Sequence, residues 1–340
     1  MRVETWAITG ATGFVGRALL AELAGQGRRV RALSRGPVDR ACPADEIVQG
    51  SLSDENALRG LVSGADVLVH LAAYVHQGTR TRRTRTECYD VNVNGTRRLI
   101  EAAASCERPP FFILISSAAV YAPSRDAMRE SWPTKPATFY GLTKLEAETA
   151  LLKACDAGRI RGVVLRPAMV FGPGAPGNLR KLYRLVRAGI VPEFENGAQR
   201  KSLVPVGTLV RAITLVAEHR DKCDALYNVA GETLTTREIS EVMAAAIGVR
   251  LRRVPLRRGP VRHCAVVADW LLDIVYPRMP SLAQAVDTYA SSAALDDARI
   301  RSLGAGLPAS DVVRALQETA NAERGGPLGE SHSTPVSPAQ

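Results

Sequence analysis

Ser117, Tyr140 and Lys144 are the residues of this chain whose types and spacing could move a proton. Ser117 follows a short apolar run, and Tyr140 and Lys144 lie four residues apart on a segment of helical period. Because residues i and i+4 share one helix face, the Lys144 ammonium is expected beside the Tyr140 phenol. A nearby cation favours the phenolate, which lowers the phenol pKa from about 10 toward the range of a general base. We therefore predict a proton-transfer site that includes the Ser117 hydroxyl; the alternative is a surface tyrosine packed on a lysine stem.

A second candidate site is a glycine-rich turn directly after the first apolar run. Gly10, Gly13 and Gly16 are spaced three residues apart between a predicted strand and a predicted helix. Gly10 permits the tight turn, Gly13 lets the backbone approach a pyrophosphate, and Gly16 lets the helix pack close to the strand. The helix N-terminus adds unpaired N–H groups and the positive end of its dipole. The turn predicts a dinucleotide site, with a purely structural strand-to-helix turn as the alternative.

The end of the second predicted strand distinguishes the two nicotinamide dinucleotides. An acidic residue there would bond a ribose 2′-hydroxyl, whereas an arginine accommodates a 2′-phosphate. The chain has Ser34 and Arg35 at this point and no acid. Arg35 therefore favours NADP over NAD, and the alternative is a solvated surface arginine.

The elements that would position these residues alternate along the chain. Short β-branched runs alternate with Ala-, Leu-, Arg- and Glu-rich segments of helical period, which predicts βαβ units and a parallel sheet. The predicted strands are Thr5–Ile8, Val30–Leu33, Glu46–Val48, Val67–Leu71, Phe111–Ile115, Val163–Leu165 and Tyr227–Val229. The predicted helices are Gly13–Gln26, Asp54–Val62, Val91–Cys106, Phe139–Ala157 and Asn178–Ala188. Ser117 then follows the fifth strand, at the edge where open α/β sheets bind ligands.

The domain organisation follows from a change of pattern near residue 171. Pro- and Gly-rich connections begin there, which indicates loops and a smaller second lobe. We predict a dinucleotide-binding domain over 1–170 with a return strand near 200–230, a mainly substrate-binding lobe over 171–322 and a disordered tail over 323–340. The tail has no periodicity and too few apolar groups to offset the entropy of ordering.

Composition excludes several classes of protein. With 340 residues, 46% of them hydrophobic and 23% charged, the chain is neither disordered throughout, nor collagen-like, nor a disulfide-stapled mini-protein. Its six cysteines lack metal-ligand spacing, so we expect no metal site and reduced thiols in the cytoplasm. The N-terminus has no secretory signal pattern, and no stretch reaches the roughly 20 apolar residues of a spanning helix.

The formal net charge of +10 raises the question of an anionic partner. Two arginine clusters contribute to it: Arg80, Arg82, Arg83 and Arg85 in a predicted loop near the ligand edge, and Arg250, Arg252, Arg253, Arg257 and Arg258 in a predicted exposed segment. The first cluster would attract a dianionic substrate, and the alternative is a solvated loop. The second cluster is either an exposed segment of the smaller lobe or a contact with an anionic bilayer surface. Aromatic residues are only 5% of the chain, which argues against nucleic acid as a partner.

Several further motifs complete the pattern begun by the glycine turn and the Ser, Tyr and Lys residues. The motifs are 9–16 (TGATGFVG), 70–73 (HLAA), 92–96 (NVNGT), 116–121 (SSAAVY), 140–144 (YGLTK), 166–174 (RPAMVFGPG) and 227–239 (YNVAGETLTTREI). With these motifs in this order, residues 3–320 resemble the extended short-chain dehydrogenase/reductase superfamily, and within it the NAD(P)-dependent nucleotide-sugar epimerase/dehydratase family. The resemblance implies an α/β fold, with a Rossmann-like doubly wound parallel sheet and a smaller α/β substrate lobe.

The resemblance also implies roles for individual residues. Ser117, Tyr140 and Lys144 would form the catalytic triad. Ser117 and Tyr140 would also contact the substrate, with Asn178 and Arg200 near its nucleotide diphosphate. The residues implied at the NAD(P) cofactor are Gly10, Thr12, Gly13, Phe14, Val15, Gly16, Arg35, Ser51, Leu52, Leu71, Ala72, Ala73, Asn92, Tyr140, Lys144 and Pro167. No metal is implied, and the chain would pair as a homodimer.

Within that family, residues 177–178 and 199–204 look most like UDP-sugar 4-epimerases and 4-keto-sugar reductases of bacterial surface polysaccharide (O-antigen) synthesis. The first expectation is therefore an NAD(P)-dependent epimerase acting at C4 of a UDP-sugar. An NADPH-dependent UDP-4-keto-sugar reductase or a dehydratase is the alternative, because these enzymes would use the same triad. A non-catalytic NADP-sensing or RNA-associated scaffold is the alternative of another class, and the intact triad argues against it.

Overall fold

Strands and helices alternate along most of the chain in the computed structural model, which describes residues 3–39, 42–75, 82–275, 281–304 and 311–324. The strands are β1 (Thr5–Thr9), β2 (Arg29–Ser34), β3 (Glu46–Gln49), β4 (Val67–His70), β5 (Phe111–Ile115), β6 (Ser124–Met128), β7 (Gly162–Pro167), β8 (Met169–Phe171), β9 (Ile190–Phe194), β10 (Arg200–Pro205), β11 (Leu226–Val229), β12 (Thr233–Thr235), β13 (Arg252–Leu256) and β14 (Ala293–Leu295). The helices are α1 (Phe14–Gly25), α2 (Glu55–Val62), α3 (Arg82–Tyr89), α4 (Gly95–Ala104), α5 (Phe139–Asp156), α6 (Asn178–Arg187), α7 (Val206–Glu218), α8 (Thr236–Ile247), α9 (Arg258–Val275), α10 (Leu282–Ala290), α11 (Ala298–Ser302) and α12 (Val312–Arg324). A π-helical turn spans Asp90–Asn94, and 3₁₀ turns span Ala118–Val120 and Glu195–Gly197.

The central sheet has seven parallel strands in the order β11-β7-β5-β4-β1-β2-β3. Successive side chains of its strands enter opposite cores: Trp6 and Ile8 lie in one buried cluster, and Ala7 lies in the other. Helices therefore cover both faces of the sheet, which explains why its strands are continuous apolar runs. The predicted Rossmann-like doubly wound sheet is confirmed.

The chain leaves β1 toward β2 on one side and continues from β4 toward β5 on the other. The carboxyl ends of β1 and β4 are adjacent, since Thr9 stands opposite His70 in the ladder. Such a reversal of strand order opens a crevice at the carboxyl edge of a parallel sheet. This crevice is where the turn after β1, the segment after β4 and the segment after β5 come together.

Smaller sheets form beside the central one. One has the order β12-β10-β14-β6 with β8 paired to β10, and β9 and β13 form a two-stranded parallel ribbon. A third buried cluster, including Phe171, Leu182 and Met243, packs α6 and α8 beside these strands. These elements supply the smaller α/β portion expected from the sequence, while the domain boundary near residue 170 stays a prediction.

The helix predicted over Val91–Cys106 was wrong at its start. Helical structure begins at α3 and runs through the π-helical turn into α4, so Arg83 and Arg85 lie on a helix and not in the predicted loop. Arg83 Nε donates to Glu87 Oε1 at 3.0 Å, an i,i+4 pair that supports this helix. Arg80, the side chain of Arg82 and residues 325–340 of the predicted tail lie outside the described part.

The second arginine cluster spans β13 and the start of α9. Arg253 pairs with Glu241 on α8, and Arg258 Nη2 lies 2.9 Å from Asp287 Oδ1 on α10. The cluster is thus partly neutralised within the protein. Among the helices that the structure describes, none combines the length and apolar character that a transmembrane span needs.

Candidate active site

Ser117 and Tyr140 are brought together by the packing of α5 on the turn that follows β5. Ser117 caps the 3₁₀ turn, since its Oγ accepts the N–H of Ala119 at 3.1 Å. A Cβ at Gly141 would collide with the Ala119 carbonyl oxygen, so only glycine allows α5 to approach this closely. Thr138 caps the helix by accepting the Gly141 N–H at 3.0 Å. The first turn of α5 therefore presents Tyr140 beside Ser117.

Tyr140 is half-buried, and its surroundings determine the ionisation of its hydroxyl. Burial raises the pKa of Tyr140 to about 12, although its side-chain hydrogen bond with Ser117 acts to lower that pKa. Cys88 on α3 acts in the same direction as burial. The predicted lowering of the phenol pKa by Lys144 was wrong for the protein alone, because burial raises that pKa and the group that lowers it is Ser117. Tyr140 is a protonated phenol at neutral pH.

Lys144 lies one turn beyond Tyr140 and is only 3% exposed. Burial lowers the pKa of Lys144 to about 8, while Glu148 one turn further on and Cys88 act to raise it. The ammonium forms no hydrogen bond with the part of the chain that the structure describes. A buried cation of this kind is available to a ligand hydroxyl or to a developing phenolate.

Asn92 fixes the segment after β4 against the catalytic helix. Its Oδ1 accepts the Tyr74 N–H at 2.7 Å, and its Nδ2 donates to Thr143 Oγ1 at 3.0 Å. Asn92 sits in the π-helical turn, a local irregularity that often accompanies functional sites. The side chain is engaged within the protein, and its predicted contact with the cofactor stays a prediction.

A line of buried hydrogen bonds joins the ends of β1 and β4 to α4. His70 Nδ1 lies 2.6 Å from Thr9 Oγ1, His70 Nε2 lies 2.9 Å from Thr96 Oγ1, and Thr96 Oγ1 donates to the Asn92 carbonyl at 2.7 Å. Because the Thr96 proton is used, His70 must donate from Nε2 and accept from Thr9 at Nδ1. Burial, assisted by the charge of Lys144, lowers the pKa of His70 to about 3, consistent with this neutral ring.

The glycine turn has the close approaches that a dinucleotide site needs. Gly10 has φ +73°, and a Cβ there would lie 2.6 Å from the Ala72 nitrogen. A Cβ at Gly16 would collide with the Gly10 carbonyl, so α1 packs tightly on the end of β1. α1 begins after Gly13 without a side-chain cap or an acidic residue in its first turn, which leaves its N–H groups for an anion. The described residues therefore fit a pyrophosphate.

The other residues predicted at the cofactor line the same edge of the sheet. Leu71, Ala72 and Ala73 follow β4 directly and are half-buried. Thr12 is exposed in the glycine turn, Phe14 and Val15 are half-buried in the first turn of α1, and Pro167 is buried at the end of β7. The structure places all of them near the crevice, and their contacts with a cofactor stay predictions.

Arg35, Ser51 and Leu52 follow β2 and β3. Arg35 is exposed and forms no ion pair with any described residue. The Ser51 hydroxyl is paired with Ser53 at 2.7 Å, and Leu52 is buried, where a Cβ at Gly95 of α4 would lie 2.9 Å from it. Arg35 is therefore the side chain of this group that is free to meet a phosphate.

Asn178 and Arg200 are the predicted substrate residues outside the triad. Asn178 is the exposed first residue of α6, and Arg200 is the exposed first residue of β10. Arg200 lies close enough to Glu238 on α8 to help lower the pKa of that carboxyl, after the larger effects of hydrogen bonds from Thr235. Neither residue has a described contact with the triad, so their substrate roles stay predictions.

Two groups of site residues were missed by the sequence reasoning. Thr9, His70 and Thr96 lie within the sequence motifs, but the motifs do not indicate that these side chains bond to one another. Arg166 also lies within a motif, and Glu148 lies outside all of them. The signal for Glu148 was its spacing, since it lies four residues beyond Lys144 on the same helix. No group of three or more candidate metal ligands occurs within the described residues.

Comparisons with known proteins give a consistent result. Residues 6–230 match the family described as NAD dependent epimerase/dehydratase. A dTDP-6-deoxy-L-talose 4-dehydrogenase (NAD(P)(+)) of Kitasatospora kifunensis is 31% identical over 269 residues, which cover 74% of this chain and 83% of the relative. A UDP-glucose 4-epimerase of Vibrio cholerae is 29% identical over 263 residues, covering 73% and 77%. The solved structure of MoeE5 with UDP-glucuronic acid and NAD matches with a TM-score of 0.75 at 25% identity, covering 94% of this chain and 99% of that one.

Proposed function

Because the chain belongs to the NAD-dependent epimerase/dehydratase family, we propose that it epimerises a UDP-sugar at C4 by transient hydride transfer to NAD(P). The feature that supports the proposal is the set of Ser117, Tyr140 and Lys144 after β5 and on α5, since the turn after β5 and the glycine turn after β1 both follow the carboxyl ends of parallel strands. Two of the relatives support C4 as the reacting carbon, since both are named for chemistry at position 4 of a nucleotide sugar.

The cofactor would be held by the turn between β1 and α1. The open N–H groups of the first turn of α1 would bind its pyrophosphate, and the lack of a side chain at Gly13 would let the phosphates approach the backbone. Lys144, which has no hydrogen bond with the described residues, would bind the ribose hydroxyls next to the nicotinamide. When bound, the nicotinamide supplies the hydride acceptor and donor that no amino-acid side chain can provide.

Tyr140 is the proposed proton carrier at the C4 oxygen. With a pKa of about 12, its phenol is protonated at neutral pH and ready to donate a proton to the oxygen of a 4-keto sugar. In the oxidising direction it must instead accept the C4 hydroxyl proton, for which the positive charge of Lys144 stabilises the phenolate. The Ser117 hydroxyl would hold the same sugar oxygen, so that the proton passes along one short hydrogen bond.

A reductase is the second candidate, and one observation favours it. Arg35 is exposed at the end of β2 and unpaired among the described residues, as expected if it accommodates the 2′-phosphate of NADPH. An NADPH-dependent 4-keto-sugar reductase would use the same Tyr140 proton but release the oxidised cofactor after every turnover. Asn178 and Arg200 would bind the nucleotide diphosphate in either reaction, and surface polysaccharide synthesis would be the pathway served.

One experiment distinguishes these functions. The purified protein is incubated with UDP-glucose, UDP-N-acetylglucosamine, UDP-glucuronic acid and a UDP-4-keto sugar, with and without NADPH, and products are identified by NMR. Inversion at C4 without added reductant supports the epimerase, whereas stoichiometric NADPH consumption on a UDP-4-keto sugar supports the reductase. The Tyr140→Phe variant is the matched control, because it removes one hydroxyl; equal turnover by this variant would overturn the catalytic assignment.

A further inference from the structure

A buried carboxylate, that of Glu148, lies one helical turn beyond the lysine of the candidate site. We propose that Glu148 is a positioning residue that holds Lys144 in its charged form, and that Arg166 and Ser116 in turn hold Glu148. The inference rests on the proposed reaction for its catalytic meaning, but the ionisation of Lys144 can be measured without any substrate.

The helix places Glu148 on the same face of α5 as Lys144. Glu148 lies four residues beyond Lys144 on α5, so both side chains project from one face of the helix. Glu148 is 1% exposed, and Arg166 on β7 is 5% exposed. Arg166 donates to Glu148 twice, from Nη2 to Oε2 at 2.6 Å and from Nε to Oε1 at 3.0 Å. The Ser116 hydroxyl donates to the same Oε1. The carboxylate is therefore fixed by three donors.

The network extends from the catalytic helix to the smaller sheet. Arg166 Nη1 donates to the Tyr121 hydroxyl at 2.7 Å, and that hydroxyl donates to Asn228 Oδ1 at 3.0 Å. Asn228 Nδ2 donates to the carbonyl of Met128 at 3.0 Å and to that of Asp296 at 3.1 Å, at the ends of β6 and β14. Glu148 thus cannot move without breaking bonds that cross the sheet.

Charge balance gives the network a role beyond packing. The Glu148 carboxylate is paired with the buried Arg166 guanidinium, and the buried Lys144 lies one helical turn before Glu148 on α5. The other titratable groups that interact with the Lys144 charge are neutral at pH 7: His70 has its pKa lowered to about 3, and burial raises the thiol pKa of Cys88. Tyr140, one turn before Lys144, is also neutral.

Among the described residues that act on the Lys144 ammonium, Glu148 therefore carries the negative charge at neutral pH. A buried ion pair or triad that loses one partner leaves an uncompensated charge, which neutralises by a shift in pKa. Without the Glu148 charge, Lys144 should lose its proton near neutral pH. It would then no longer stabilise the phenolate form of Tyr140.

The test measures the pKa of Lys144 directly. The chain has six lysines, so the Cε signals of ¹³C-labelled lysine form a short spectrum in which Lys144→Met identifies one peak. We expect this peak to titrate near pH 8 in the parent protein. In Glu148→Gln the acid dissociation constant of Lys144 should be about ten- to a hundredfold larger, so the peak should titrate near pH 6 to 7. Glu148→Met has the same length and no charge, and serves if the glutamine variant does not fold.

Glu101→Gln is the matched control. Glu101 also accepts two bonds from one arginine, Arg159, at 2.9 and 3.0 Å, but on the exposed surface of α4. Its removal should leave the Lys144 titration unchanged, and Glu148→Asp should restore most of the parent value. An unchanged Lys144 pKa in a folded Glu148→Gln or Glu148→Met variant would overturn the proposal. In the variant, the pH at which turnover is lost should fall together with the Lys144 pKa. A parent protein that turns over no nucleotide sugar would contradict only the proposed function.

Discussion

Replacing Lys144 with methionine should stabilise the protein while removing its activity. Methionine keeps an unbranched side chain of similar length and carries no charge, so the buried site stays filled. The pKa of about 8, against 10.5 for a free lysine, corresponds to a cost of about 3 kcal/mol for keeping this ammonium charged in the folded protein at pH 7. Lys144→Met should therefore raise the free energy of unfolding by up to about 3 kcal/mol at that pH.

The pH dependence gives this prediction its sign. Between pH 8 and 10.5 the unfolded chain retains the Lys144 proton and the folded chain releases it, so the parent protein gains stability as the pH rises. Below pH 8 both states hold the proton and the cost is constant. The advantage of Lys144→Met should thus be full at pH 7 and smaller at pH 9.5.

Urea denaturation at pH 7 and pH 9.5 measures both quantities. Lys153→Met is the control, because Lys153 lies on the same helix with its side chain exposed, and its replacement should change stability by less than about 0.5 kcal/mol. Turnover of the Lys144 variant should fall by about a hundredfold or more, since it loses the charge that stabilises the phenolate. If Lys144→Met were less stable than the parent at pH 7, burial of the Lys144 charge would not be costly. If it were equally active, Lys144 would have no role in turnover.

Two further substitutions test the cofactor site. Arg35→Asp should weaken NADPH binding at least tenfold relative to NADH, because it replaces an exposed cation at the end of β2 with an anion; fluorescence titration of both cofactors would show an unchanged ratio if Arg35 has no role. Gly10→Ala should cost about 1–3 kcal/mol and abolish cofactor binding, since its Cβ would lie 2.6 Å from the Ala72 nitrogen. Gly27 has a similar φ of +65° with open space around it. In thermal denaturation, Gly27→Ala should therefore show only the destabilisation that comes from the left-handed backbone conformation.

The parallel sheet was predictable because its strands are short, continuous apolar runs bounded by turn residues. Val67–His70 and Phe111–Ile115 are buried on both faces, a pattern that amphipathic strands do not show. The start of the helical region at residue 82 was not predictable in the same way. Arg82–Tyr89 is almost wholly polar, and its helix depends on contacts such as that of the Arg85 guanidinium, 5.5 Å from the centre of the Phe139 ring.

The identity of the site residues was predictable, but their ionisation was not. The spacing of Tyr140 and Lys144 shows that they share a helix face, yet it does not show how deeply the fold buries them. Burial raises the Tyr140 pKa and lowers that of Lys144, against the direction expected from a cation beside a phenol in water. The position of the Glu148 carboxylate likewise depends on Arg166, eighteen residues away, which the place of β7 in the central sheet brings beside α5.

Hydride transfer at C4, with Tyr140 moving the proton, can be followed with a UDP-sugar that carries deuterium at C4. The C4-inverted product formed in ordinary water should keep its deuterium at C4, because the hydride leaves and returns within one site. Tyr140→Phe should slow this inversion by about a hundredfold or more. Loss of the C4 deuterium to solvent during inversion would contradict hydride transfer at C4. Inversion at an undiminished rate in Tyr140→Phe would contradict proton transfer by Tyr140.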